Sequence, residues 1–471
     1  MAKYASGECA ISLVMNSILG FAMIYYTDAL GLKASLAGVA MSVATFWEAI
    51  SDPIMGHITD NTRSRFGRRH PHLLIGTIVT VVSFFFLWHV PGVFRQSSIA
   101  LFWYLLGINL IQRTGITIFL IPYTALGFEM CADYRGRARL QGIRFGCGML
   151  ANLCGPALAW AVFFSNNNGI RATKVEANYV DMGLVFSLAA LAFMLVVLFS
   201  SSKYIEDTRQ AKLNENSVRS FLLDMKGIVL DRYPRAVFGY VFVVILGVAL
   251  VSGLQMYLFE HFFELSGIKK TIAHGGTMVG AGIGALLAAN LVARFDKRGA
   301  VILAGVWSIS CALGLALLFA TSILPPQQSL IALGFNLPIA FMVFVILHGA
   351  YWLGNGIMIP IATSMMADVS EIHQIETGVA KEGAYAAVFS FVFKCAMSVA
   401  MFITGIALAI AGFQSGVAHA QAPAVVERLP ALTFVLGPVI SLLGLWILKR
   451  YPVNREFLEA ARKSGTDRAS T

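Results

Sequence analysis

Along its 471 residues the chain repeatedly runs for about twenty residues with almost no charge, the length that crosses the hydrocarbon core of a bilayer. Inside lipid a backbone has to satisfy its own N–H and C=O groups, so such blocks are confined to helices. Twelve spans are expected, at 8–30, 36–58, 73–92, 99–127, 141–165, 179–200, 234–258, 268–292, 300–320, 333–366, 383–412 and 429–449. Charged residues make up 13% of the chain against about a quarter in soluble domains, which excludes reading the blocks as soluble cores. Only Lys3 precedes the first block and no small-residue cleavage signal accompanies it, so that block is read as a retained span.

The net charge of +10 could suggest a nucleic-acid partner, but the basic residues sit in short connectors between apolar blocks instead of on one solvated face. With both termini on the cytoplasmic side, 25 Lys and Arg fall on inner connectors and the span ends adjoining them and 7 on outer ones, leaving Arg113, Arg144 and Lys394 within spans. The positive-inside rule selects that orientation, and a plasma (inner) membrane location is expected.

The longest polar interruption, residues 201–233, separates a six-helix half (1–200) from a second (234–449), with a tail at 450–471. The connector after the second span, Arg63 to Arg69, has a counterpart after the eighth, "ARFDKRGA". This weak repeat at matching places implies two parallel halves about a central cavity. The expected fold is therefore all-α and membrane-integral, with twelve transmembrane helices in two six-helix halves.

Other patterns carry less. "VGAGIGA", Val279 to Ala285, partly matches a dinucleotide fingerprint but has no strand before it. Gly276, Gly280 and Gly284 at every fourth position read instead as a close helix-packing face. The nine histidines and six cysteines show no HExxH or CxxC spacing, so no cofactor and no metal beyond a coupling cation is expected.

Ionisable residues inside spans are costly and face a partner or a water-filled cavity. Five stand out: Glu48, Asp52, Arg113, Arg144 and Lys394. Glu8 and Glu129 lie near span ends, where interfacial solvation accounts for them. Glu48 and Asp52 are four apart and so share a helix face, with Ser51 beside them. Two adjacent carboxylates repel unless they share a cation or proton. Oxygen ligands of this kind suit Na⁺ or H⁺ better than a soft metal. The competing reading is structural pairing with Arg113, Arg144 or Lys394.

"WEAISDPIMGHITDNTRSRFGRR" resembles the signature of the glycoside-pentoside-hexuronide:cation symporters, the melibiose-permease branch of the major facilitator superfamily. "IPYTALGFEMCADYRGRARLQGIRF" and "MADVSEIHQIETGVAKEGAYAAVFSFVFK" resemble two further blocks of that family, in order and at the expected spans. The resemblance implies the major facilitator fold and assigns cation binding to Glu48 and Asp52, with Ser51 and Thr117 beside them. It makes Lys394 the link between cation and substrate and puts Arg144 near the substrate. Ser12, Asn16, Arg113 and Ser390 complete the candidate substrate contacts. Arg63, Arg65, Arg68 and Arg69 are candidate gate residues, with attraction to anionic membrane lipid as the competing account.

Two departures from the family bear on the substrate. Ser12 and Leu120 stand where sugar carriers have carboxylates, and Arg113 adds a positive charge one turn from Thr117. An anionic substrate such as a hexuronide follows if Arg113 grips it; Arg113 neutralising Glu48 is the alternative. Ser51 replaces an asparagine, which leaves Na⁺ and H⁺ both open.

The expected function is cation-coupled symport of a sugar, glycoside or hexuronide by a monomer, by alternating access and without enzymatic chemistry. An amphipathic lipid-like substrate, or a non-transporting sensor or scaffold, is the alternative. Tyr25, Tyr26, Tyr351 and Trp352 are read as anchors with no assigned role.

Overall fold

The computed structural model describes residues 1–130, 134–164, 171–205, 208, 225–332, 335–378, 381–416 and 421–469. Among them eleven helices are long and apolar enough to cross a membrane: α1 (Ala2–Ala22), α2 (Ala34–Asp60), α3 (His70–Trp88), α4 (Ser98–Glu129), α5 (Arg139–Phe163), α6 (Glu176–Tyr204), α7 (Arg232–Phe262), α8 (Gly267–Ala320), α9 (Ile339–Thr377), α10 (Glu382–Ile410) and α11 (Pro423–Leu448). At 54 residues α8 would be about 80 Å long, far more than one bilayer crossing. It breaks at Asp296 (φ 58°, ψ 169°), inside the connector expected between the eighth and ninth spans. The Asp296 carboxylate accepts from Lys297 N at 2.6 Å and supports the break. Its two arms are thus two spans, and the twelve-span architecture holds.

Three details differ from expectation. The tenth span does not begin at residue 333: Leu330–Ala332 and Phe335–Leu337 form a short antiparallel hairpin, and the helix starts after Pro338. It also continues past residue 366 to Thr377, because Val369 and Ile372 keep an apolar stripe on an otherwise polar extension. Gly378 ends it in the left-handed region (φ 72°), its N–H reaching Gln374 O at 2.8 Å. The tail forms a further helix, α12 (Arg455–Ala469), tied down by Arg462 on Glu371 at 2.6 Å and by Phe457 edge-on to Tyr233.

The chain packs as two units. One comprises Met1–Val218, Ser266–Thr271 and Met401–Gln421; the other comprises Arg219–Leu265, Ile272–Ala400 and Ala422–Thr471. In the first, α1 packs on α5 and α6, α2 on α4, and α3 on α4 and α6. Gly76 of α3 and Gly115 of α4 let those helices touch: a Cβ on Gly76 would lie 2.6 Å from Phe119 N, and one on Gly115 2.9 Å from Thr80 N. That contact turns the flanking residues Arg113 and Thr117 away from α3.

In the second unit the glycine face of α8 lies on α9. A Cβ on Gly280 would come within 2.1 Å of Gly349 O, and one on Gly284 within 2.0 Å of Leu353 O. Gly282, on the other side of the helix, meets nothing within 4 Å. Gly284→Ala is expected to destabilise this unit by about 1–3 kcal/mol through overpacking. Gly282→Ala should leave the thermal unfolding midpoint of the solubilised protein unchanged or slightly raised, and comparing the two midpoints checks the contact.

Candidate functional site

Glu48 and Asp52 project from one face of α2 onto α4, but each has a different partner. The Arg113 guanidinium Nη1 donates to Glu48 Oε2 at 2.6 Å, with both residues below 5% exposed. One turn further, Thr117 Oγ1 donates to Asp52 Oδ1 at 2.7 Å. Both pairs are 65 residues apart because α2 and α4 run parallel and each advances one turn per rung.

Ser51 Oγ lies 3.3 Å from Thr117 Oγ1, so the lower rung gathers three oxygen-bearing side chains. Pro53 has no N–H to give the carbonyl of Ala49, which leaves a further backbone oxygen one turn from Asp52. Trp47 Nε1 on Thr114 Oγ1 at 2.9 Å locks the helices alongside.

The upper rung thus gives Glu48 a resident guanidinium. Arg113 Nη1 also approaches Met15 Sδ of α1 at 3.6 Å, while its Nε has no acceptor. Asn109 and Gln112, fully buried on α4, extend the polar face toward α2 and α3: Asn109 Nδ2 meets Met41 Sδ at 3.0 Å, and Gln112 Oε1 accepts from Ser83. Sequence reasoning passed over these two, although Asn109, Gln112, Arg113 and Thr117 recur at helical spacing.

A second polar line joins α1 to α5. Arg144 Nε donates to Glu8 Oε1 at 2.9 Å, and the guanidinium stacks 4.5 Å above the Tyr123 ring. Asn16 bonds Asn152 across the same pair of helices. Glu8 is therefore more than an interfacial group: it is the counter-charge of a buried arginine. Its place at a span end hid it, and the spacing Glu8, Ser12, Asn16 against Arg144, Gly148, Asn152 was the available signal.

Among the gate candidates, Arg69 alone is buried, bonding Asp60 Oδ1 at 2.7 Å, Glu129 Oε1 at 2.8 Å and Thr59 Oγ1 at 2.8 Å. Burial alone would disfavour its charge; Glu129 and Asp60 outweigh that and raise its pKa. Glu129, set aside from sequence, is the acidic anchor of this staple, and Arg68 approaches it at 3.7 Å. Arg63 and Arg65 are exposed, Arg65 over the Phe66 ring. The second unit repeats the device: Lys297, in the counterpart connector, holds both oxygens of Asp368 at 2.6 and 2.7 Å.

Lys394, half-buried, and Ser390, exposed, lie on α10 within the second unit. Tyr25 and Tyr26 are buried, their hydroxyls on Trp88 O at 2.7 Å and Leu87 O at 2.9 Å. Tyr351 is buried, and Trp352 Nε1 donates to His348 Nε2 at 3.2 Å. These four serve packing within their units instead of acting as lone interfacial anchors.

A membrane-integral bundle of twelve spans with charges paired at mid-helix defines a transport protein of the major facilitator fold. The family model described as "MFS/sugar transport protein" matches residues 3–455, and the chain belongs to that family. It is 23% identical to the glucuronide carrier protein homolog of Escherichia coli, over 97% of this chain and 93% of that one. It is also 23% identical to the sodium-dependent lysophosphatidylcholine symporter 1-A of Danio rerio, over 98% and 86%. The nucleoside transporter NupG superposes with a TM-score of 0.63 at 12% identity, covering 96% of this chain and all of that one, a likeness of fold.

Removing one partner of a buried ion pair strands the other charge, at about 3–5 kcal/mol. Arg113→Leu is expected to cost stability on that scale, and Arg113→Leu combined with Glu48→Leu to cost less than Arg113→Leu alone. A double-mutant cycle on thermal unfolding measures the coupling.

Proposed function

We propose that the chain is a cation-coupled symporter of glycosides or hexuronides, working by alternating access in the plasma membrane with both termini cytoplasmic. The observation that carries this reading is the Asp52–Thr117–Ser51 oxygen cluster beside a Glu48 already held by Arg113. Asp52 is the carboxylate that takes the coupling ion, Na⁺ or H⁺, with Thr117 and Ser51 as neutral oxygen ligands. Arg113 acts as a fixed internal cation on Glu48 and leaves substrate recognition to other groups: Ser12, Asn16, Arg144, Ser390 and Lys394.

The two halves that alternating access moves are 1–200 and 234–449, joined by 201–233 and followed by the tail at 450–471. Arg69, with Glu129 and Asp60, braces one of them at its basic end, while Arg63, Arg65 and Arg68 meet lipid headgroups or close the cytoplasmic side. The protein works as a monomer, with a small-molecule substrate and a monovalent cation as its ligands. Support comes from membership of a sugar-transport family and from a relative named as a glucuronide carrier.

A second substrate class, an amphipathic lipid-like molecule, is favoured by a relative named for a lysophospholipid, the sodium-dependent lysophosphatidylcholine symporter 1-A of Danio rerio.

Proteoliposomes separate these readings. A Na⁺ or a proton gradient should drive uptake of a glucuronide or glucoside by the wild type. Asp52→Asn should abolish the gradient-driven accumulation while retaining ligand binding by the folded protein. Uptake of lysophosphatidylcholine with no uptake of either glycoside would select the amphipathic substrate, and accumulation by Asp52→Asn equal to wild type would remove Asp52 from coupling.

A further inference from the structure

Two cysteines meet on the seam between α1 and α5. Glu8 bonds Arg144 and Asn16 bonds Asn152, each pair 136 residues apart, so the two helices run parallel and in step. At about 100° per residue, one step forward from Glu8 and one step back from Gly148 turn toward the same side of that seam. Those steps are Cys9 and Cys147. The Cys9 thiol donates to Cys147 O at 3.5 Å, and the Cys147 thiol is itself in side-chain hydrogen-bond contact with Cys9.

The helices are close enough here for a covalent link. One residue away on each of them, a Cβ on Gly148 would sit 3.9 Å from Glu8 Cβ. A disulfide spans about 3.5–4.5 Å between its Cβ atoms. Both thiols are free and half-buried, so a small molecule can reach them. Cys154, the exposed cysteine further along α5, does not compete. The same offset sets it level with Ile18 (154 − 136 = 18), about 13.5 Å along α1 from Cys9. On its own helix it stands about 10.5 Å beyond Cys147.

We propose that Cys9 and Cys147 form a redox-modification site. A two-electron acceptor of the quinone or diazene class converts them to a disulfide that staples α1 to α5, and an external thiol reverses it. Two S–H bonds break and one S–S bond forms. The sulfurs give up two electrons, which pass with the two protons to the acceptor and reduce it to a hydroquinone or a hydrazine. In the reverse step two external thiols become a disulfide and return both protons to Cys9 and Cys147. The bridge closes a chain segment of 138 residues, and the constraint it places on the unfolded chain stabilises the first unit. It also makes covalent a seam that an ion pair and hydrogen bonds otherwise hold, about one turn from Arg144. The inference does not depend on which substrate the protein carries.

The test treats purified full-length protein with diamide, a diazene, and maps its peptides by mass without reduction. Thermal unfolding midpoints are measured before treatment, after it and after dithiothreitol. Wild type should yield a Cys9–Cys147 cross-linked peptide, and its midpoint should rise by about 5 °C and return on reduction. Cys9→Ser keeps a hydroxyl for Cys147 O, so its untreated midpoint should match wild type, while diamide should give neither bridge nor rise. Cys147→Ser serves the same purpose should Cys9→Ser not fold. Folded wild type without a Cys9–Cys147 bridge after diamide overturns the inference. So does a bridge that leaves the midpoint unchanged or lowers it, and so does a rise that persists in the folded serine variant.

Discussion

A guanidinium and a carboxylate cannot be left apart at the depth of a bilayer, and the Arg113–Glu48 bond is where this chain meets that constraint most strictly. Each side chain alone would carry a large desolvation penalty; together, 2.6 Å apart, they oblige α2 and α4 to keep one register. That register delivers Thr117 to Asp52 one turn away. The α3–α4 contact at Gly76 and Gly115 serves the same end, because only helices that touch so closely hold α4 at a fixed rotation. The Asp52–Thr117 contact thus depends on a charge pair one turn away.

The same rule repeats on other helices. Glu8 answers Arg144 between α1 and α5, Arg69 answers Glu129 and Asp60 at the basic end of the first unit, and Lys297 answers Asp368 in the second. The last two occupy matching places in the two units, so the weak sequence repeat marks a shared electrostatic brace. Arg69 and Arg144 each send Nε and Nη2 to a single carboxylate oxygen, of Glu129 and of Glu8; they differ in that Nη1 of Arg69 reaches Asp60 and Thr59 while Nη1 of Arg144 has no acceptor.

Much of the fold was legible in advance because lipid tolerates so few backbone solutions. Block length set the span count, and even the unbroken-looking α8 turns at the connector expected of it, at Asp296. Element ends were less legible. The α9 extension to Thr377 survives on a sparse apolar stripe that average polarity conceals, and Pro338 moved its start beyond a hairpin. Of the site, the α2 carboxylates, Arg113 and Arg144 could be nominated from cost alone, since each is expensive where it lies; Ser51 was read as their neighbour and Thr117 came from the family resemblance. Glu8 and Glu129 could not, because a carboxylate near a span end is cheap until a buried arginine is seen to use it.

The amino-acid sequence by itself determined that the chain is a membrane-embedded helical bundle and which ionisable groups lie at its depth. Hydrophobic length and the expense of buried charge are properties of each segment alone. Only the tertiary structure decided who pairs with whom. Glu48 and Asp52 look alike along α2, and it is the rotation and register of α4 that give one an arginine and the other a threonine. Partnership across helices depends on packing distances that no single segment encodes.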